Sequence, residues 1–410
     1  MTLPTLRNFA MHRFAPLLAL LVLGAFACER KAAPAPEPEA PAATSQSRPP
    51  QPPSPDEDEG AILIGSVGSL TGPEASFGGP VRDGIQFAVE EVNAEGGVKG
   101  RRVVLRTYDS QGRLEESVNA AKRLITQDKV WLILGDVSSS NSLAVAEVAQ
   151  AAHVPMVTPS ATHPDVTRKG DYIFRTCFID AFQGQAMARF AREHLKLERI
   201  SILQDGKNAY SLGLSEAFTQ AFTRLGGKIL SVEGYSKGDT DFRAPLLAVK
   251  KAKPQALYIP GFYSDVGIMA RQARELGLSV PLLGGDGWES DRLLELGGNA
   301  MEGSYYSSHY AVDNPSPELQ RFVAAYQKRY GRAPDVSAAL GYDAARVALA
   351  AMQRASSLTG PAIRDALAQT EDFPSVSGRI TLDAARNPIK PAVILRIQEG
   401  RRQFVAAVTP

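Results

Sequence analysis

From Ala61 onward the sequence alternates short runs rich in Val, Ile and Leu with longer stretches whose apolar residues recur at three and four positions. That alternation is the strongest constraint on what the chain can fold into. The short runs are 61–67, 103–108, 130–134, 154–157, 200–203, 229–232 and 256–259. Several are almost continuously apolar, as strands buried on both faces require. The stretches between them, 81–93, 114–127, 140–152, 182–195, 212–225 and 264–276, read as amphipathic helices. In the first of these, Val81, Ile85, Ala88, Val89 and Val92 share one face. The pattern predicts an α/β fold of parallel sheets joined by right-handed crossovers. The rhythm breaks near the end, where 317–330, 337–355 and 361–368 read as three successive helices, followed by apolar runs at 378–382, 393–397 and 404–408. A chain that builds two α/β lobes and then returns to them has such a tail.

The part before Ala61 has no core to offer. Residues 1–27 carry Arg7 and Arg13, no acidic side chain and an apolar run from Phe14, which is the pattern of an export signal. Cys28 follows Ala25-Phe26-Ala27, a small-x-small cleavage site, and a cysteine at the first mature position resembles the bacterial lipoprotein signal. Lipidation of Cys28 is therefore expected, with ordinary secretion and an incidental cysteine as the alternative. Residues 28–60 hold nine prolines and almost no large apolar side chains, so they are expected to form a disordered linker. Such a chain spans up to roughly 100 Å at ~3.1 Å per residue, enough to hold a folded body near a membrane. The expected location is periplasmic, with a lipid anchor on Cys28. Cys177 then has no disulfide partner and is expected to be buried and inert. The 350 residues that remain suggest two domains.

Charge and motif content exclude several functions. The 45 basic and 44 acidic side chains nearly cancel, leaving no field to attract nucleic acid. After residue 27 no apolar run is long enough to span a bilayer. Gly65, Gly68 and Gly72 have neither dinucleotide-binding nor P-loop spacing, and no H-E-x-x-H, C-x-x-C or G-x-S-x-G occurs. The five histidines, His309 among them, show no metal-ligand spacing and read as surface or loop residues. No metal, no cofactor and no catalytic residue is expected, and the chain is not read as an enzyme.

Two polar loops stand out instead, each directly after a predicted strand. The run 130–134 leads into Gly135-Asp136-Val137-Ser138-Ser139-Ser140-Asn141 and then a helix, which gathers hydroxyls and free backbone N–H groups where a carboxylate can bind. Plain helix capping is the alternative for this segment taken alone. The run 154–157 opens into Thr158-Pro159-Ser160-Ala161-Thr162, a second hydroxyl loop. Ligands of open α/β sheets lie outside the carboxyl ends of strands, so two such loops point to a small polar ligand.

These segments, with Leu70-Thr71-Gly72-Pro73, Asn93-Ala94-Glu95-Gly96-Gly97-Val98-Lys99-Gly100 and Gly267-Ile268-Met269-Ala270-Arg271-Gln272-Ala273-Arg274, resemble the leucine/isoleucine/valine-binding proteins of bacterial ABC importers. The resemblance runs in order through 61–410. It implies the type I periplasmic-binding-protein fold, in which two Rossmann-like lobes with parallel sheets are joined by three crossover segments. Lobe 1 is expected over 61–178 plus 309–377, and lobe 2 over 179–308 plus 378–410. The crossovers are expected near 176–180, 306–310 and 377–379.

Carried onto this sequence, the resemblance implies a site. Ser139, with its neighbouring N–H groups, takes the α-carboxylate of an amino acid, and Ser138 beside it belongs to the ligand site; the Ser160 carbonyl and Thr162 bind the α-ammonium and carboxylate. Phe77, in the opening loop of lobe 1, covers the side chain, and Tyr210 and Phe262 reach in from lobe 2. Asp286 is the counter-ion of the ammonium. Packing roles for Phe77, Tyr210 and Phe262, and a turn role for Asp286, are the alternatives. The family often has Glu at the place of Asp286 and Tyr at those of Phe77 and Phe262. The implied function is capture of a branched-chain or other apolar amino acid by hinge closure and delivery, as a monomer, to a membrane ABC permease. The alternatives are a ligand-sensing receptor subunit for amino acids or amides, which the same fold also serves, and an exported enzyme.

Overall fold

The computed structural model describes residues 60–310 and 316–409. The expected export signal, Cys28 and all of the expected linker but Gly60 lie outside the described residues. Two sheets carry the architecture. The first is all parallel, in the order β2-β1-β3-β4-β5, with β1 Ile62–Gly68, β2 Val103–Asp109, β3 Ile133–Leu134, β4 Met156–Thr158 and β5 Ile173–Arg175. The second runs β12-β11-β10-β9-β8-β6-β7, with β6 Arg199–Asp205, β7 Lys228–Tyr235, β8 Ala256–Ile259, β9 Leu282–Gly284, β10 Tyr305–Ser308, β11 Ala392–Gln398 and β12 Arg401–Val408. Its β6 to β10 are parallel, whereas β11 and β12 pair antiparallel at one edge. Glu399 and Gly400, with φ of 54° and 65°, form the two-residue turn that joins β11 to β12, and so short a link permits no parallel return.

Helices sheathe both sheets. They are α1 Ala75–Ala94, α2 Leu114–Thr126, α3 Ser139–Ala151, α4 Asp165–Arg168, α5 Asp180–Arg189, α6 Ala209–Arg224, α7 Arg243–Ala252, α8 Tyr263–Glu275, α9 Asp291–Gly297, α10 Pro317–Tyr330, α11 Val336–Arg354 and α12 Gly360–Ala368. In the first lobe, Ile62, Ile64 and Leu134 pack under Val81, Ile85, Ala348 and Leu367 of α1, α11 and α12. On the opposite face Val67, Ile133 and Met156 meet Leu124, Val145 and Ala149 of α2 and α3. The second lobe repeats the arrangement. Leu203, Leu257 and Leu282 face α7, α8 and α9, while their neighbours Ile202, Tyr258 and Leu283 face α5 and α6. Sheets covered on both sides need both side-chain sets apolar, which is why the strands read as unbroken runs.

Two sequence expectations move. Helix α1 begins at Ala75 rather than at 81, so Phe77 stands on its first turns and not in a loop. Gly78 makes this possible, because a Cβ there would lie 2.1 Å from the Ser69 carbonyl oxygen. The 378–382 run is not a strand of the second lobe. Ile380 and Leu382 are buried with Ile62 in the first lobe's core, and the segment makes only the isolated bridges Phe373–Ile380 and Leu382–Pro388. Arg386 fastens it there, donating to the carbonyls of Ile173 and Thr167 at 3.0 and 2.7 Å. The third crossing therefore follows Pro388 instead of lying at 377–379. Lys390 buries itself in it and donates to Ser377 Oγ at 2.5 Å.

The crossings bury polar groups, which costs stability unless they are satisfied or neutral. Asp180 opens α5 just after the first crossing, its N–H donating to the Thr162 carbonyl at 2.9 Å, and burial pushes its carboxyl up to about 8. The folded state thus binds this proton more tightly than the unfolded chain, where the value is 3.8. The contribution to stability is fully present below pH 3.8 and is lost as pH rises towards 8. Asp180→Asn is expected to flatten that decline, read as urea unfolding free energies at pH 5 and pH 8; an unchanged slope contradicts it. A second test addresses the α1–α11 contact, where a Cβ on Gly84 would lie 1.9 Å from Ala338 O and one on Gly341 2.2 Å from Val81 O. Gly84→Ala and Gly341→Ala are each expected to lower the unfolding free energy by about 1–3 kcal/mol, the cost of overpacking a close helix contact.

Candidate functional site

The carboxyl ends of β3 and β4 place the two hydroxyl loops side by side. Asp136 organises the first of them. Its buried carboxyl, pushed up to about 6 by burial, accepts from the N–H groups of Val137 and Ser138 and from Ser117 Oγ at 2.5, 3.2 and 2.9 Å. Its carbonyl accepts from Ser142 Oγ and Thr158 Oγ1 at 2.9 and 2.8 Å. Ser160 Oγ donates to the Val137 carbonyl at 2.9 Å, so the second loop is stitched to the first.

Ser138 holds the N-cap position of α3 but makes no side-chain capping bond. Plain capping therefore does not account for its hydroxyl. Ser139 Oγ accepts from the His163 N–H at 3.2 Å and keeps its own proton to donate. The first N–H groups of α3 have no acceptor inside the helix, and the helix dipole is positive at this end. An anion fits here without any arginine.

Across from this end, the second lobe supplies a carboxylate and an aromatic wall. Asp286 stands in the short 3₁₀ turn Asp286–Trp288 that follows β9. Gln183 Nε2 lies 2.7 Å from its Oδ1 and His309 Nε2 lies 3.0 Å from its Oδ2. Tyr210, on the first turn of α6, accepts from the Gly287 N–H at 3.0 Å and stacks on Phe262, with centroids 5.2 Å apart. Phe77 meets Phe262 and Tyr263 edge-on at 5.9 and 5.1 Å.

Between these groups lies a cavity. Phe77, Ser138, Ser139, Ser160, Tyr210, Phe262 and Asp286 all line it. Thr162 does not. Its side chain is buried beside the first crossing, and its carbonyl is engaged by the Asp180 N–H. Sequence reasoning missed His309, Glu289, Val336, Ser337 and Leu340, which line the cavity with Val137 and Gly287. The position of His309 inside the expected second crossover was the one available signal, since a crossover must pass behind the cleft. The lining holds two carboxylates, Asp286 and Glu289, and neither Lys nor Arg. Glu289 is engaged from behind, accepting from Ser308 Oγ at 2.8 Å with Arg402 Nε 3.7 Å away. The arrangement can hold an anionic group at α3, a cationic group at Asp286 and an apolar body against the aromatic wall.

Direct contacts also join the lobes around the cavity mouth. Tyr263 Oη donates to the Pro73 carbonyl at 2.5 Å, Lys237 pairs with Glu74 at 2.5 Å, and Ser290 Oγ lies 3.1 Å from Ser76 Oγ. The Ala209 N–H donates to Ser140 Oγ at 3.2 Å. These groups link the two lobes beside the cavity.

Known proteins are similar to this chain in sequence and in fold. A Leu/Ile/Val-binding protein of Rhizobium johnstonii, BraC3, is 31% identical over 323 residues, which is 78% of this chain and 87% of that protein. The crystal structure of a leucine-binding protein, LivK, from Thermotoga maritima superposes with a TM-score of 0.82 at 39% identity, covering 85% of this chain and 99% of that one. The branched-chain amino acid transporter substrate-binding protein LivJ of Streptococcus pneumoniae, solved with isoleucine, gives a TM-score of 0.80 at 30% identity, covering 85% and 100%. A family model described as periplasmic binding protein matches residues 61–402, and the chain belongs to that family.

Proposed function

We propose that the protein is an extracytoplasmic solute-binding protein that captures an apolar, branched-chain-type α-amino acid and delivers it to a membrane ABC permease. What supports this most is the polarity of the cavity: donors at the start of α3 on one side, the Asp286 carboxylate on the other, aromatic rings between and no cation in the lining. A zwitterion with an apolar side chain complements all three. The relatives' names point the same way, BraC3 being called a Leu/Ile/Val-binding protein and LivJ being solved with isoleucine.

In this mechanism no bond is made or broken. With the lobes apart, Ser138, Ser139 and the α3 N-terminus receive the carboxylate. Rotation about the three crossings brings Asp286 to the ammonium and Tyr210 and Phe262 to the side chain. The ligand touches both lobes only in the closed form, so it shifts the open–closed equilibrium by its differential affinity. A lipid on Cys28, with residues 28–60 as tether, is part of the proposal and keeps the closed form within reach of the permease.

The test is a thermal-shift screen of the protein against the amino acids and small amides. A ligand at about 100 times its Kd stabilises by ~2.7 kcal/mol. Ser139→Ala and Asp286→Ala are each expected to abolish the response while the variants remain folded. A response retained by both, or turnover of the ligand into a product, contradicts the proposal. Closure has its own test in the Glu74–Lys237 pair, where the carboxylate is 5% and the lysine 41% exposed. Lys237→Met removes about 1 kcal/mol from the closed form only and is expected to raise Kd about fivefold by calorimetry.

A further inference from the structure

Asp286 is held by two hinge segments at once. Gln183, on the first turn of α5 directly after the first crossing, takes one oxygen; His309, on the second crossing, takes the other. His309 is itself 3% exposed and lines the cavity. Its ring stacks on Phe178 of the first crossing, with centroids 4.0 Å apart and planes 17° apart, which leaves it little freedom to turn. Its Nδ1 is buried without a hydrogen-bond partner. An imidazole carrying its proton on Nδ1 would meet Asp286 with a lone pair facing a carboxylate and would bury an unused donor. The opposite tautomer donates Nε2–H to Asp286 and leaves one acceptor lone pair, rather than a donor facing no partner and a lone pair facing a carboxylate.

We propose that His309 is a positioning residue of the ligand site: its Nε2–H donates to Asp286 Oδ2 and, with Gln183 on Oδ1, aims that carboxylate at the ammonium of the ligand. This rests on the amino-acid reading given above and goes beyond it in two ways. It explains how a carboxylate one methylene shorter than glutamate is kept from swinging away from the cavity. It also ties the group that receives the cation to the first and second crossings, so engagement of the ammonium is felt at the hinge itself.

The charged groups that face His309 are Asp286 and Glu289 from the segment after β9 and Lys390 from the third crossing. Burial holds the imidazole below its ordinary value, against the pull of Asp286, so the ring is neutral at neutral pH. As pH falls below 6.5 and then through the lowered value, the imidazole becomes a cation. In that form it competes with the ligand's ammonium for the same carboxylate, so affinity falls with pH.

The experiment has two arms. In the first, histidine-selective ¹⁵N NMR of the ligand-free protein, with the His309 signals assigned by their loss in His309→Leu, is expected to show the Nε2–H tautomer at neutral pH. An Nδ1–H or mixed-tautomer signal overturns the proposal whatever the ligand. In the second, calorimetry uses L-leucine and its hydroxy acid, 4-methyl-2-hydroxypentanoate, which lacks the ammonium. His309→Leu is expected to weaken L-leucine roughly tenfold to a hundredfold, the usual loss of a hydrogen bond to a charged group, and to leave the hydroxy acid unchanged. His309→Gln, whose amide can donate in the same place, is expected to restore L-leucine binding and to lose the wild-type decline at acid pH. Equal weakening of both probes makes the residue merely structural and overturns the proposal. If the wild type binds no L-leucine, the functional reading fails, and the NMR arm still decides the role of His309.

Discussion

Taking a carboxylate out of water is costly unless something holds it and something of opposite charge meets it. Asp286 has only 10% of its side chain exposed, and both of its oxygens are engaged from behind, by Gln183 and, in the proposed tautomer, by a neutral His309. Such donors orient the group without cancelling its charge. The rest of the site follows from that condition. Among the described residues the lining has no Lys or Arg, so in the proposed reading the positive charge comes from the guest. In the same reading the guest's anion lies at the start of α3, beside backbone N–H groups and two serines. The two poles stand on different lobes, so in the proposed reading charge complementarity and hinge closure are one event.

The sequence carried the scaffold well, because its physical basis is local. Unbroken apolar runs arise from strands covered on both faces, and the fold class and most helices were legible from period alone. The failures were non-local. Phe77 was placed in a loop because Gly78, Gly79 and Pro80 are poor helix formers, yet Gly78 is required for α1 to pass the Ser69 backbone. The 378–382 run looks like a strand, but Arg386 and the first lobe's core claim it. The antiparallel edge formed by β11 and β12 departs from the parallel expectation for a simple reason, a two-residue turn.

The candidate site shows the same division. Serines placed directly after strands could be read as ligand groups because strand ends and helix starts meet there by topology. That Ser138 makes no capping bond is a matter of side-chain geometry that no spacing reveals. Thr162 belonged to the right loop but faces the first crossing, where its carbonyl serves Asp180. His309 is a lone histidine with no motif around it, and only the fold brings it within 3.0 Å of Asp286.

The most direct measurement is a crystal structure of the protein grown with L-leucine. The account predicts density between the lobes, with the ammonium within hydrogen-bonding distance of Asp286, the carboxylate at the first N–H groups of α3 and the side chain against Phe77, Tyr210 and Phe262. A ligand seated outside this cleft, or one lying reversed with its carboxylate towards Asp286, contradicts it.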